Sequence, residues 1–247
     1  YVRGQADDYD GWAQKGCLGW SWSDVLPYFM KAETRPEGNK SFRGKEGPLH
    51  ISDLTSPHPL ADLFIETAHS IGIKKNTDYN SGDQEGSFLY QTMIKNSMRW
   101  SASDAYLKPI LFKKNFKLLI KTYLHKIIFN NKKIESVIIK QGLNFKKILI
   151  NKELILCAGA INSPQILQNN GIGNQLKLKD LGIECIQNIP EVGQNLKDHY
   201  AIRIAMRTKN VSTFNTESTG LSLLKEIFNY YFFKKGLLTN PVSTAGV

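Results

Sequence analysis

The sequence predicts an α/β plus α+β fold, and three observations carry that prediction. Leu154-Ile155-Leu156-Cys157 is a continuous apolar run, the pattern of a strand buried on both faces of a parallel sheet. A turn of small residues, Ala158-Gly159-Ala160, leads from it into a helical stretch. Between residues 116 and 150, short alternating runs separated by Asn- and Gly-containing turns have the pattern of an antiparallel meander. Upstream, residues 25–32 and 59–71 place apolar side chains three and four apart, the period of amphipathic helices.

A chain of 247 residues is long enough to bury a sizeable core in one or two domains. It begins at Tyr1 without an initiator Met and stops at Val247 in a small-residue turn, so it reads as a piece of a longer chain. The first residues contain no apolar core of a signal peptide. The most apolar late stretch, Leu221 to Leu238, is interrupted by Lys225, Glu226, Lys234 and Lys235, which argues against a membrane span. Cys17, Cys157 and Cys185 are odd in number and lack CxxC spacing, which fits a reducing compartment and no cysteine metal site. The net charge of +10 comes from lysine pairs such as Lys74-Lys75 and Lys132-Lys133 at expected element ends. That favours a solvated surface; a nucleic-acid or membrane-surface protein has only the net charge behind it.

In chain order, Trp12, Trp20 and Trp22 cluster near the start, where large amphipathic rings need a partner. Ser23-Asp24 caps a helix from Val25 to Ala32 with Val25, Phe29 and Ala32 on one face. Residues 35–58 read as irregular, with a short strand at Gly47–Ile51. His50 and His58 fall in this loop as solvated histidines without metal partners at suitable spacing. Pro59 opens a helix whose Leu60, Leu63, Phe64, Ala68 and Ile71 form a core-facing stripe, leaving His69 exposed. Asp78–Gly82 is a turn, Leu89–Ile94 alternates, and Ser101 or Ser103 caps a helix carrying Tyr106-Leu107. Trp100 reads as a surface packing residue.

The meander is expected to use strands at Phe116–Lys121, His125–Phe129, Ile134–Lys140 and Phe145–Ile150. After Leu154–Cys157, Ser163 is a good N-cap with Pro164 at the first helical position and Gly171 as the stop. Strand, small-residue turn and capped helix aim backbone N–H groups at an anion or dinucleotide. Leu176–Leu181 then reads as helix, Ile183–Ile189 and 201–208 as strands, and Leu221–Phe233 as helix. Asp198 and His199 are adjacent on an extended chain and face opposite sides, so His199 is given a structural hydrogen-bonding role over acid–base work.

Gly159-Ala160-Ile161-Asn162-Ser163-Pro164-Gln165-Ile166-Leu167, followed by Gly171-Ile172-Gly173, resembles the second signature of the glucose–methanol–choline (GMC) flavin oxidoreductases. Asn170 stands where that family usually has serine. Arg3-Gly4, Asp10-Gly11-Trp12, Leu26 to Glu33, Arg99 to Leu107 and Val192 to His199 follow in family order, in wording similar to the choline dehydrogenase-like subgroup. The resemblance implies a partial FAD-binding Rossmann-like domain with β-meander at 106–198. It implies flavin-loop follow-on and part of the substrate or cap region at 1–105, and the start of a substrate-binding domain with antiparallel sheet at 199–247.

FAD is the implied cofactor, with Leu124 holding the adenine through its backbone and Ala158, Gly159 and Ser163 as further cofactor-binding residues. No metal is implied. Gly171-Ile172-Gly173 lacks the third glycine of a dinucleotide fingerprint, so the phosphate cradle is expected upstream of Tyr1 and the catalytic histidine beyond Val247. These residues alone are then expected to be inactive. The implied reaction is oxidation of a primary, choline-like alcohol to an aldehyde by hydride transfer to flavin N5, with oxygen or a quinone as acceptor. The implied partners are a small alcohol, no nucleic acid and, for the whole bacterial enzyme, a cytoplasmic setting or peripheral association with the inner membrane. The alternative is a non-catalytic binding module that keeps the flavoprotein fold.

Overall fold

Capping chemistry sets the first elements of the computed structural model, which describes residues 1–247. Helix α1 (Ala6–Gln14) starts where the Gln5 N–H donates to Asp8 Oδ2 at 2.8 Å. Helix α2 (Trp22–Ala32) starts at Ser21, whose Oγ accepts the Asp24 N–H at 3.3 Å while its own N–H donates to Asp24 Oδ2 at 3.0 Å. The cap is therefore Ser21, not Ser23 or Asp24, because Ser21 has a carboxylate three residues on to close the reciprocal box. Strand β1 (Glu33–Thr34) pairs in parallel with β2 (Leu49–His50). Helix α3 (Pro59–Ser70) has Pro59 in its first turn, and His58 Nδ1 accepts the Leu60 N–H at 3.2 Å. His58 is 7% exposed with its ring edge-on to Phe214 at 4.9 Å, so it is a buried cap and not the solvated loop residue expected.

Strands β3 (Phe88–Leu89), β4 (Ile94–Lys95) and β5 (Met98–Arg99) follow, the last two joined through Asn96 and Ser97 at positive φ. Ser101, not Ser103, caps the π turn Ser103–Leu107, exchanging hydrogen bonds with Asp104. Strands β6 (Thr122–Asn130), β7 (Lys133–Gln141) and β8 (Asn144–Leu149) form one antiparallel sheet in sequence order. Helix α4 (Gly159–Asn169), β9 (Ile172–Gly173), α5 (Gln175–Asp180) and β10 (Gln187–Asn188) come next. Helices α6 (Phe214–Glu217) and α7 (Gly220–Phe228), a π turn at Asn229–Phe233, and β11 (Ala245–Gly246) complete the order. The chain divides into two units, 1–116 with 206–247, and 117–205.

The first unit is organised around buried ions. Glu33 Oε1 takes Arg3 Nη2 at 2.8 Å, Arg43 Nε at 3.0 Å and the Gly44 N–H at 2.9 Å. Arg43 also reaches Asp78 at 3.3 Å and Gln91 at 3.1 Å. Gly44 is required here, since a Cβ would run into the backbone of Met30 and Glu33. Tyr79 accepts the Gln91 N–H at 2.7 Å, and burial pushes its phenol up to about 12. Helix α3 packs on β3 and β11; Ala61 and Ala68 are buried and Leu60 half-buried, while Leu63, Phe64 and Ile71 are exposed. The buried stripe is thus narrower than expected, with Leu63, Phe64 and Ile71 outside it. Trp100 packs at the surface as expected, its Nε1–H donating to Pro48 O at 2.9 Å with Lys95 Nζ 4.5 Å over the ring.

Asp78 makes a pH prediction. Burial works to raise its carboxyl, but hydrogen bonds from Ser81 and Gln91 and the nearby Arg43 outweigh it and hold the group below its ordinary 3.8. A carboxyl lowered in the folded state contributes stability that is complete above the ordinary value and lost as pH falls through the folded one. Asp78→Asn is therefore expected to flatten the acid limb of stability below about pH 4, read by urea unfolding at several pH values.

In the second unit, the register of β6 against β7 shifts between Leu124 and Lys126, a bulge at His125. Asn131 and Lys132, at φ 48° and 66°, make the two-residue turn. Phe116–Lys121 does not join this sheet, and the antiparallel meander is the three strands β6, β7 and β8. Leu154–Cys157 is outside every ladder, and Ile155 is 73% exposed. The expected parallel-sheet strand thus has no partner here. A parallel neighbour needs a crossover connection, and residues 117–205 supply only a self-paired meander and the short parallel pair β9–β10. The strand expected at Ile183–Ile189 shrinks to β10, and 201–208 has no ladder.

Candidate functional site

The start of α4 gathers three of the four residues singled out for cofactor binding. Ala158 is the N-cap residue and Gly159 the first helical one, at φ +86°. That left-handed backbone is open to glycine and costly for a residue with a Cβ. Ser163 is not the cap: it lies in the second turn, with its Oγ accepting the Ala158 N–H at 3.0 Å, and Pro164 sits inside the helix. The helix starts five residues earlier than the Ser-Pro pair suggests because glycine supplies the turn that a serine cap would otherwise make.

Ser163 thereby occupies the Ala158 N–H, and no side chain caps the N–H groups of Gly159, Ala160 and Ile161. These are the orphan donors at the positive end of a helix dipole. A Cβ built on Gly159 would find no atom within 4 Å, so the space beside that glycine is open. The residues fit a phosphate-bearing nucleotide: main-chain donors, no competing carboxylate in the first turn, and a glycine where backbone meets ligand.

Leu124, the fourth residue, is half-buried in β6 opposite Ile139, next to the bulge. His125 beside it turns to the ring of Phe145 at 4.9 Å and takes no part in the α4 start.

The other end of α4 is fixed by a residue whose role the sequence left unread. Asn170 is buried; its Oδ1 accepts the Ile127 N–H of β6 at 2.7 Å and its Nδ2 donates to Ile166 O at 2.8 Å. Gln168 Nε2 donates to Val192 O at 2.8 Å, and Gly171, at φ +80°, lets residues 184–186 approach. The departure from serine at this position was the available signal, since only the longer amide spans helix and strand. Asn170→Ala is expected to leave the buried Ile127 N–H unpaired and cost about 1–3 kcal/mol in urea unfolding. Asn170→Ser is expected to recover one bond at most.

Asp198 and His199 contribute no dyad. Both side chains are essentially fully exposed, and His199 Nδ1 is 3.5 Å from Asp198 and no other acid. The structural hydrogen-bonding role expected of His199 is absent too. No group of His, Cys, Asp and Glu side chains is arranged to hold a metal ion.

A family model described as GMC oxidoreductase matches residues 1–201. Oxygen-dependent choline dehydrogenase of Brucella anthropi is 40% identical over 236 residues, covering 96% of this chain and 43% of that protein. The enzyme of the same name from Sinorhizobium fredii is 40% identical over 216 residues, covering 87% of this chain and 39% of its own. Among solved structures, an FAD-dependent oxidoreductase from Chaetomium thermophilum superposes with a TM-score of 0.89 at 29% identity, covering 99% of this chain and 46% of that one. The chain spans less than half the length of the relatives it matches.

Proposed function

We propose, from the premise that the chain belongs to the GMC oxidoreductase family, that it forms part of an FAD-dependent enzyme oxidising a primary alcohol to an aldehyde. The observation that carries this reading is the uncapped start of α4, with Gly159 at positive φ before open space. Ala158, Gly159 and Ser163 would hold the flavin nucleotide there. Gly159 lets the backbone approach, and the Ser163 hydroxyl fixes the turn through the Ala158 N–H. Leu124 would add a main-chain contact from β6. Residues 106–198 would then be part of a Rossmann-like FAD domain, with 199–247 opening the substrate domain.

When bound, FAD supplies a hydride acceptor at N5. The two relatives named oxygen-dependent choline dehydrogenase support a choline-like substrate and oxygen as one acceptor to test. No helix is long and apolar enough to cross a membrane.

The test uses the intact protein from its gene. It is expected to purify with bound flavin, and anaerobic choline is expected to bleach the flavin absorbance and yield an aldehyde. Bleaching by other primary alcohols alone would reject the choline-like substrate and keep the reaction class. A colourless protein that takes up no added FAD would overturn the reading.

A further inference from the structure

Strand β6 lies at the edge of the meander, with β7 on one side only. Antiparallel neighbours alternate between pairs that exchange main-chain hydrogen bonds and pairs whose N–H and C=O groups point away from each other. Ile127 faces Val137, and its N–H goes to Asn170 instead of β7, so this pair is of the second kind. Lys126, facing Ile138, is then of the first. In a regular strand Leu124 would be another bonded pair, with its main chain spent on β7. The extra residue at His125 resets the count, and Leu124 faces Ile139, one step along β7 from Ile138. Its N–H and C=O therefore point to the free edge of the sheet, the side on which Asn170 lies. Bulges that re-aim a residue in this way are over-represented beside functional sites.

An N–H and a C=O side by side on an extended residue offer a donor and an acceptor to one flat ring edge. Adenine presents the complement, an acceptor at N1 beside a donor at N6. Hypoxanthine, with a hydrogen on N1 and oxygen at position 6, presents the reverse.

One side chain ties that edge to α4. Asn170 Oδ1 accepts the Ile127 N–H at 2.7 Å, and its Nδ2 donates to Ile166 O of α4 at 2.8 Å. The residue is buried, and its amide makes the one side-chain hydrogen bond between residues 159–173 and the meander. A serine, usual here in the family, has a shorter arm that would reach the helix carbonyl alone, so the tie belongs to this chain.

We propose that Asn170 is a positioning residue for the adenine end of the flavin nucleotide, holding the outward Leu124 main chain at a set offset from the start of α4. The proposal rests on the reading of Leu124, Ala158 and Gly159 as nucleotide-binding residues, and it adds what fixes their spacing.

The test is equilibrium dialysis of the intact protein, freed of flavin, against FAD and against its hypoxanthine analogue. The wild type is expected to prefer FAD by about tenfold or more. Asn170→Ala and Asn170→Ser are each expected to bring that preference to about twofold or less, because FAD weakens and the analogue does not. Asn170→Ser keeps a bond to α4 and decides the matter if the alanine variant does not fold. Gln168→Ala, which frees the same helix from Val192 O, is expected to keep the wild-type preference. A purely structural loosening would weaken both nucleotides alike. The proposal is overturned if the preference survives in the Asn170 variants, or if Gln168→Ala lowers it equally. A wild-type preference near one, as when another strand of the whole protein covers this edge, overturns it and leaves the α4 site standing. Uptake of neither nucleotide overturns the reading of that site as well.

Discussion

Replacing Glu33 with alanine is expected to destabilise the intact protein by about 3–5 kcal/mol. The side chain is fully buried between Arg3 and Arg43, which are themselves no more than 1% exposed, and one of its oxygens serves both guanidinium groups and the Gly44 N–H. Truncation strands Arg3 without a carboxylate and leaves Arg43 with Asp78 alone, at 3.3 Å. A buried guanidinium that loses its carboxylate keeps the desolvation cost without the attraction that offset it. Glu33→Gln keeps the volume but not the charge and is expected to recover only part of the loss. Glu66→Ala is the control. Glu66 pairs with Lys75 at 2.6 Å, and both side chains are exposed, so the change is expected to leave the midpoint nearly where it was. Urea midpoints at unchanged slope measure all three. A Glu33→Ala midpoint matching that of Glu66→Ala would show that the clamp is not what holds this unit.

Gly159→Val is expected to weaken FAD retention by the intact protein at least about tenfold, an effect above ~1.4 kcal/mol. A β-branched residue resists φ +86°, and its added atoms would enter the space that the proposed nucleotide needs. No protein atom stands in their way, so the fold is expected to survive. Gly142→Val separates strain from occlusion. Gly142 is also at positive φ, +60°, with open space around it, but in the β7–β8 turn. It should lose comparable stability and retain FAD as the wild type does. Equal loss of FAD in both variants, by equilibrium dialysis, would remove Gly159 from the cofactor site.

Elements with strong local chemistry were legible in the sequence. Pro59 opening α3, the helix at Gln175–Asp180 and the hairpin at Asn131-Lys132 all follow from residues whose φ or capping group leaves little choice. What failed needed knowledge of the partner. Periodicity marked Leu63, Phe64 and Ile71 as apolar, but the buried residues of α3 are Ala61 and Ala68. Ser163-Pro164 had the chemistry of a helix start, yet a glycine four residues earlier had already begun it. Helix α1, with Asp7, Asp8, Asp10 and Gly11 in nine residues, shows no apolar stripe to read. The buried ions were illegible for a different reason: Arg3, Glu33, Arg43 and Asp78 are scattered over 76 residues, and nothing local announces that they meet.

The solitary extended run at Leu154–Cys157 bears on how the chain reaches its native state. The meander closes through neighbours in sequence and can form within microseconds, whereas the apolar run at 154–157 joins no ladder. Such an unpaired run can zip onto the same segment of another molecule. Refolding yield should therefore fall with protein concentration, and chaperones that shield this run should raise it.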